Sequence, residues 1–438
     1  MGVHFGTDGV RGVAFVDLTP ALVTALGRAV GEVLGGGRWL IGRDTRESGP
    51  SLVDALAAGL AAAGADPTSV GVIPTPALAW LSARDAVPAA MVTASHNPWT
   101  DNGVKVFAAG GRKLTDDVEA AIEARLAELV ASSPAALGAS SVDDVAGAVD
   151  DYAAWLVGSQ PRLDGLRIVL DLAHGAMASV APAVCRALGA EVSALNDAPD
   201  GRNINDRCGA THPGPLGEAV IASGADLGLA FDGDGDRVIA IDHLGRVVDG
   251  DRLLALAALD LRARGRLRDD TVVVTVMSNL GFHRAMAAAR IHVVTTAVGD
   301  RYVLEALDAG GFSLGGEQSG HLVYRDLATT GDGLLAGVQV AGLVRSSGRP
   351  LAELAGEVMT SYPQVLVNVA VRRRPSDAAA EMDDEITSAM GDLAGDGRIV
   401  VRASGTEPLV RVMVEAPTDD LAADLAERLA AAARHRFG

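Results

Sequence analysis

The chain has 438 residues, of which 49% are hydrophobic but only 3% aromatic, with 52 glycines and a formal net charge of −19. This length exceeds one ordinary core and suits three or four domains of aliphatic α/β layers, and the acidity argues against a nucleic-acid partner, which needs a basic face. Cys185 and Cys208 are too few for a disulfide framework and read as free thiols; no apolar run reaches membrane-spanning length and no signal peptide opens the chain, so a soluble, cytoplasmic protein without a membrane partner is expected.

In chain order, Phe5 to Gly12 sets three glycines around Thr7, Asp8 and Arg11, a backbone that can approach a ligand and present one guanidinium. A helix is predicted over 20–34, with Thr19 as N-cap, Pro20 in the first turn, Leu22, Leu26, Val30 and Val33 as its stripe and Gly35 as its stop. Strands at 39–41, 70–73 and 89–92 alternate with a helix over 50–63, the pattern of a mostly parallel sheet covered by helices. A helix over 116–130, capped by Thr115, carries Val118, Ile122, Leu126 and Leu129 on one face. The small, polar run 131–141 then puts a first domain boundary near Val149.

A second α/β unit is expected from strands at 166–170, 191–195 and 227–231 and a helix over 176–188, with a long polar segment at 200–212. A third places strands at 271–277 and 292–298 and helices at 280–289 and 300–307; three such modules in a row suggest an internal triplication. The tail differs: strand 365–371, helix 378–390, strands 399–402 and 409–414, helix 420–433, a small α+β domain. The expected domains are therefore 1–149, 150–252, 253–362 and 363–438, with a cleft where they meet.

Four polar segments, one per domain, carry the chemistry. Val92 to Lys105 delivers Ser95 from an apolar strand into the turn-forming His96-Asn97-Pro98, where a nucleophile belongs, although Ser-His-Asn-Pro is also an ordinary turn. Asp232, Asp234 and Asp236 alternate with glycines between two apolar strands; three clustered carboxylates would repel one another unless a hard divalent cation, Mg²⁺, sat among them with a phosphate oxygen as a further ligand. An EF-hand reading fails, because Arg237 and His243 stand where Gly and Glu are required. A phosphatase of the haloacid-dehalogenase type, with Asp234 as nucleophile, fits Asp234 to Val238 and stays open, though it leaves Ser95 without a role.

Gly315 to His321 combines close backbone approach with Glu317, Gln318, Ser319 and His321, suited to reading hydroxyls and moving protons, or is simply a turn with a surface histidine. Arg402 to Pro408, followed by Arg411, reads as a phosphate cradle or a strand-to-strand turn. An anionic ligand would have to be held by local cations against the global charge; Arg11, Arg43, Arg46, Lys105, Arg237, Arg301, Arg402 and Arg411 are the candidates. Together the segments specify phosphoryl transfer, and Ser95 lacks the Gly-x-Ser-x-Gly elbow of a serine hydrolase. A non-catalytic phosphosugar-binding protein is the other alternative, but none of these side chains is missing.

On FGTDGVRG at 5–12, TASHNP at 93–98 with DNGVK at 101–105, DGDGDR at 232–237, GEQSGH at 316–321 and RASGTEP at 402–408, the whole chain resembles the α-D-phosphohexomutases, and within that superfamily the bacterial phosphoglucosamine mutase branch. The resemblance implies three mixed α/β domains and a small fourth domain that closes over a phosphosugar. It implies that Ser95 is the phosphoserine and that its phosphate, Asp232, Asp234 and Asp236 ligate Mg²⁺. Lys105 and His321 would be acid/base groups, with Arg11 and Arg237 near the transferred phosphoryl. Glu317 and Ser319 would read sugar hydroxyls; Arg402, Ser404, Gly405 and Thr406, with Arg411 beside them, would hold the distal phosphate. The implied reaction, through a bisphosphosugar, converts glucosamine 6-phosphate to glucosamine 1-phosphate for UDP-N-acetylglucosamine and the cell wall, in a monomer or homodimer. Arg43, where the family expects Lys, and Trp99, where it commonly has Tyr or Phe, are small departures.

Overall fold

The computed structural model describes residues 9–132, 142–373, 375–404 and 408–438. Within them lie four sheets. The first holds β1 (Val10–Val13), β2 (Gly37–Arg43), β3 (Ala65–Val72), β4 (Ala89–Val92), β5 (Asp101–Ala108) and β6 (Arg112–Lys113), in the order β1-β5-β4-β2-β3 with β6 on β5. The second runs β11-β10-β9-β7-β8, from β7 (Arg167–Asp171), β8 (Glu191–Leu195), β9 (Leu227–Phe231), β10 (Val238–Asp242) and β11 (Val247–Val248). The third runs β13-β12-β14-β15, from β12 (Thr271–Thr275), β13 (His292–Thr296), β14 (Leu314–Gly316) and β15 (Leu322–Tyr324). The fourth has β18 (Leu409–Glu415) between β16 (Gln364–Ala370) and β17 (Arg398–Ala403), all antiparallel.

The first three sheets share a plan. A parallel centre (β2 with β3 and β4; β7 with β8 and β9; β12 with β13 and β14) ends in an antiparallel hairpin, β4–β5, β9–β10 or β14–β15. Each polar segment singled out in the sequence occupies the loop of that hairpin: 93–100, 232–237 and 317–321. The fourth lies in the β17–β18 hairpin. Three α/β units and a C-terminal α+β unit are therefore as expected, and the shared position of the loops gives the suggested triplication a structural form.

Most expected elements lie within a few residues of their predicted bounds. Thr19 caps the helix Pro20–Leu34 by accepting from Leu22 N at 3.3 Å. Thr115 also stands at the N-cap of Asp116–Ala131, but its side chain makes no cap bond; Asp116, Asp117 and Glu119 supply the negative charge in the first turn instead. The helices expected over 176–188 and 378–390 are each broken, into Ala176–Ser179 with Ala181–Ala187 and Ala378–Glu381 with Asp383–Asp392. Helices Thr75–Asp85 and Gly333–Ser347 were not anticipated, because they are buried around much of their circumference and show no clean polar face; Ala148–Ser159, Gly214–Ser223, Gly250–Ala263 and Leu351–Val358 were not anticipated either. The DNGVK run, read with the Ser95 loop, is the start of β5. Most of the linker run 131–141 and the start of the N-terminal motif lie outside the described residues.

One apolar core runs through the first three units, from Leu40, Leu78 and Met91 through Leu170, Leu229 and Phe231 to Leu253, Val272 and Leu334. The fourth unit has a core of its own, including Val369, Val412, Leu425 and Phe437. Cys185 and Cys208 are buried, free thiols. Among the described residues, no helix is long and apolar enough to cross a membrane.

Candidate active site

The site is built where the hairpin loop of the first unit meets that of the second. Ser95 is buried and adopts a left-handed backbone (φ 53°), a conformation a non-glycine residue keeps only where its surroundings hold it. Here they do. Its N–H donates to Thr93 Oγ1 at 2.9 Å, and its carbonyl accepts from Arg46 Nη2 at 3.0 Å and Asn205 Nδ2 at 2.9 Å. Arg46 is 1% exposed and also donates to Asp44 Oδ2 at 2.9 Å, to the carbonyls of Asn97 and Asp101 at 2.9 and 3.0 Å, and to that of Pro98. One guanidinium therefore carries the whole loop, as only a planar, five-donor group can. Gly233 allows the two loops to touch: a Cβ there would lie 2.7 Å from the Ser95 carbonyl oxygen.

The Ser95 hydroxyl donates to Asp232 Oδ2 at 2.6 Å. Lys105, on β5, donates from Nζ to Asp234 Oδ2 and Asp236 Oδ2, both at 2.9 Å, and Thr75 Oγ1 donates to Asp234 Oδ2 at 2.6 Å. Asp232, Asp234 and Asp236 are all buried and present ligand atoms within 4.8 Å of one another, so they could hold a metal ion. The donor set fits a hard cation: Asp234 Oδ1 and Asp236 Oδ1 are buried without a hydrogen-bond partner, in a cluster of oxygens alone. Burial, reinforced by the charges of Asp236 and Asp234, pushes the Asp232 carboxyl well above the usual range. Burial also works against charge on Asp236, but Lys105, His321 and Arg237 outweigh it and hold that carboxyl well below the usual range.

The surroundings are cationic. Burial, then the charges of Arg237 and Arg11, push His96 down to about 4, so its Nδ1, 3.3 Å from Ser95 Oγ, is neutral at ordinary pH. Arg237 donates its backbone N–H to Asp232 Oδ1 at 3.1 Å, and its guanidinium lies 3.8 Å from Asp236 Oδ1.

The third unit's loop docks on the second through Val238 N to Gly320 O at 3.0 Å and Gly250 N to Gln318 O at 3.1 Å. That contact brings His321 Nδ1 to 3.6 Å from Asp236 Oδ1. Burial disfavours the charged ring, but Asp236, Asp300 and Glu317 overcome it and raise the His321 pKa. Glu317 accepts from Gly299 N at 3.2 Å, Gln318 donates to Gln364 at 3.1 Å, and Ser319 is exposed.

The structure thus brings together Ser95, Lys105, Asp232, Asp234, Asp236, Arg237 and His321, with Arg11 and Glu317 at their edge. Among the described residues, it does not bring the fourth unit's Arg402, Ser404 or Arg411 to them. Arg402 and Arg411 stand opposite each other on β17 and β18, where burial and then the neighbouring charge of Arg411 lower the Arg402 pKa. Ser404 is buried, its N–H donating to Leu409 O at 2.8 Å, and among the described residues no hydrogen bond or ion pair joins Arg402, Ser404 or Arg411 to the Ser95 cluster. Gly405 and Thr406 lie outside the described residues.

Three candidate ligand cations are spent elsewhere. Arg46 carries the loop, Arg43 pairs with Asp144 at 3.0 Å, and Arg301 pairs with Asp116 and Glu119. Thr75, Asn205 and Asp300 escaped the sequence reading. Asn205 sits in the polar segment already noticed, Asp300 opens a helix after a strand, and Thr75 gives no signal of its own.

Known proteins resemble this chain over nearly its whole length. Models of the phosphoglucomutase/phosphomannomutase family match in order: α/β/α domain I over residues 2–132, domain II over 149–245, domain III over 249–362 and the C-terminal domain over 366–432. Phosphoglucosamine mutase of Frankia casuarinae is 54% identical, over 98% of both chains. That of Anoxybacillus flavithermus is 48% identical over 100% of both. Among solved structures, a phosphoglucomutase/phosphomannomutase family protein from Burkholderia thailandensis superposes with a TM-score of 0.79 at 26% identity, covering 98% of this chain and 97% of its own. N-acetylphosphoglucosamine mutase of Aspergillus fumigatus, solved with GlcNAc-6P and magnesium, shares the fold with a TM-score of 0.69 at 21% identity over 99% of this chain and 96% of that one. The chain belongs to the phosphoglucomutase/phosphomannomutase family of phosphohexomutases, isomerases that move a phosphoryl group within a hexose phosphate.

Proposed function

We propose that this protein is a cytoplasmic phosphoglucosamine mutase, interconverting glucosamine 6-phosphate and glucosamine 1-phosphate through phosphorylated Ser95 and a bisphosphosugar, in the supply of UDP-N-acetylglucosamine for the cell wall. The observation that carries the reading is the Ser95 hydroxyl, fixed at 2.6 Å from the buried three-carboxylate cluster, which the Lys105 ammonium also joins. The identity to phosphoglucosamine mutases over nearly the whole chain supports the choice of sugar.

In this mechanism phosphorylated Ser95 transfers its phosphoryl group to the free hydroxyl of the bound monophosphate. The bisphosphosugar turns over in the site, and its other phosphate returns to Ser95. A phosphoserine carries roughly −1.5 to −2 charge at neutral pH, so the incoming phosphate must be met by cations. Arg11 and Arg237 meet the transferred group. Arg402, Arg411, Ser404, Gly405 and Thr406 hold the distal phosphate in either orientation, while Glu317 and Ser319 read the ring hydroxyls. His321 and Lys105 move protons at the attacking and leaving sugar oxygens. Asp232, Asp234 and Asp236 would hold Mg²⁺, which when bound neutralises charge developing on the phosphoryl oxygens. The neutral His96 and the buried loop limit water at Ser95, favouring transfer over hydrolysis. The domains in this reading are 1–149, 150–252, 253–362 and 363–438.

The test follows phosphorus NMR of the Ser95-phosphorylated protein with Mg²⁺ and, separately, glucosamine 6-phosphate, glucose 6-phosphate and mannose 6-phosphate. The expected result is a 1-phosphate formed fastest from the glucosamine ester. Preference for glucose or mannose would keep the mechanism and change the substrate; inorganic phosphate alone would sink the reading and favour hydrolysis at Asp234.

A further inference from the structure

Outside the residues just assigned, one buried carboxylate faces the site and has no role in it. Asp300 opens the helix Asp300–Gly310, directly after Gly299, whose N–H holds Glu317. Its side chain is 9% exposed, and Oδ2 lies 3.6 Å from His321 Nε2. The other ring nitrogen, Nδ1, lies at the same 3.6 Å from Asp236 on the opposite side. The imidazole is thus bracketed by two carboxylates, one in the acidic cluster and one outside it. Its ring is also clamped flat: a Cβ on Gly331 would lie 2.4 Å from Nε2, so the backbone there rests against the imidazole face.

Two further observations give Asp300 a task. His321 Nε2 is buried and without a hydrogen-bond partner, and 3.6 Å is slightly too long for one. Catalytic hydrogen bonds are often loose in the absence of substrate and tighten in its complex. In addition, Asp300 Oδ2 pairs with Lys113 Nζ, which belongs to β6 of the first unit. The next residue, Arg301, pairs with Asp116 and Glu119 on the helix that follows β6. The carboxylate that faces His321 is therefore itself held from across the cleft, by the unit that carries Ser95.

We propose that Asp300 is a positioning residue: its carboxylate, anchored by Lys113, aims the His321 ring at the reacting oxygen and makes that aim depend on the first and third units being joined. This deepens the mutase reading and rests on it. A carboxylate behind an imidazole fixes both ring orientation and the nitrogen that carries the proton, which is how such partners act elsewhere. Asp300 needs no contact with the sugar to do this.

The experiment compares Asp300→Asn, which keeps the shape and removes the charge, Asp300→Glu, which restores it, and Lys113→Met, which removes the anchor. Asp300→Asn should lower kcat by roughly 10- to 100-fold, the usual cost of losing such a partner, with KM nearly unchanged. Asp300→Glu should recover part of the loss. Lys113→Met should lower kcat less, and the Lys113→Met/Asp300→Asn double variant should be no slower than Asp300→Asn alone, because both act through one contact. The His321 ring N–H resonance, identified by its loss in His321→Asn, should move in Asp300→Asn and in Lys113→Met. Wild-type kcat in Asp300→Asn, independent effects in the double variant, or an unmoved ring resonance would each overturn the inference. If Asp300→Asn does not fold, the Lys113→Met kcat and ring resonance decide it: both unchanged overturns it. A wild-type protein without mutase activity would sink the mutase reading alone, since the ring resonance reports on Asp300 without any turnover.

Discussion

The first three units and the fourth are joined in different ways. The Ser95, Asp232 and His321 loops sit on sheets that share one apolar core, and they touch through buried hydrogen bonds such as Ser95 to Asp232 and Val238 to Gly320. The fourth unit keeps a separate core and meets the third through polar groups: Gln364 with Gln318, Glu415 with Leu280 N, Arg398 with the Ser278 carbonyl, and Asp396 with Arg284. Apolar burial is strong and non-directional, whereas a polar contact replaces bonds to water and contributes little net stability. The contrast teaches that the loops of the proposed site are assembled in advance, while the unit carrying Arg402, Ser404 and Arg411 is held by contacts that can be remade.

The largest effect should come from inside the assembled region. Ser95→Ala removes the acceptor hydroxyl and should cost roughly a thousandfold or more in turnover. Unfolding stability should stay within about 1 kcal/mol of wild type, since one hydrogen bond is lost. Initial rates and urea unfolding measured on the same preparation check both halves; a large stability loss would mean that Ser95 holds the seam rather than merely occupying it.

Arg46→Ala tests what does hold it. Removing one partner of a fully buried pair leaves Asp44 uncompensated, a loss of roughly 3–5 kcal/mol. Urea unfolding should show that loss, and Arg46→Lys should not recover it, because an ammonium cannot serve five acceptors in a plane. Full recovery by lysine would remove the geometric part of the argument.

A pH experiment probes the polar junction. Asp251 accepts from Asn279 N at 2.7 Å, and burial pushes its carboxyl from 3.8 up to about 7. Between those values the folded protein holds a proton that the unfolded chain has released, so this group lowers stability as pH rises from about 4 to about 7 and adds no slope above. The loss is on the order of a few kcal/mol. Asp251→Asn should therefore gain relative to wild type across that window in thermal unfolding followed against pH; a parallel pair of curves would show that the carboxyl titrates normally.

The smallest effect belongs to the exposed edge of the junction. Arg284 stacks on Tyr362 and pairs with Asp396 at 2.8 Å, with both charged side chains about half exposed. Such solvent-screened pairs contribute little to stability. Arg284→Ala should move the unfolding midpoint by little and leave kcat intact; a loss as large as that of Arg46→Ala would erase the distinction between the two regions.

Several elements with a polar face were legible, though Gly250–Ala263 and Leu351–Val358 were missed. The stripe of Leu22, Leu26 and Val30, the Thr19 cap and the alternation of strand and helix all mark positions where a local period meets water. Helices Thr75–Asp85 and Gly333–Ser347 were not legible, since burial on most sides removes the period that would announce them. Among site residues, Ser95, the three aspartates, Lys105 and His321 were readable as compact clusters of unlike residues beside glycines.

By itself the sequence determined which loops are proposed to carry the chemistry, because each of these clusters of unlike polar residues is a short run of the chain beside glycines. The tertiary structure alone decided how those loops face one another. It turned Arg46 and Arg301 from candidate ligand cations into structural ones, put Thr75 on Asp234, and set Asp300 behind His321. Contacts such as these join residues far apart in the chain, and their energies come from burial and distance, which no local pattern of residues encodes.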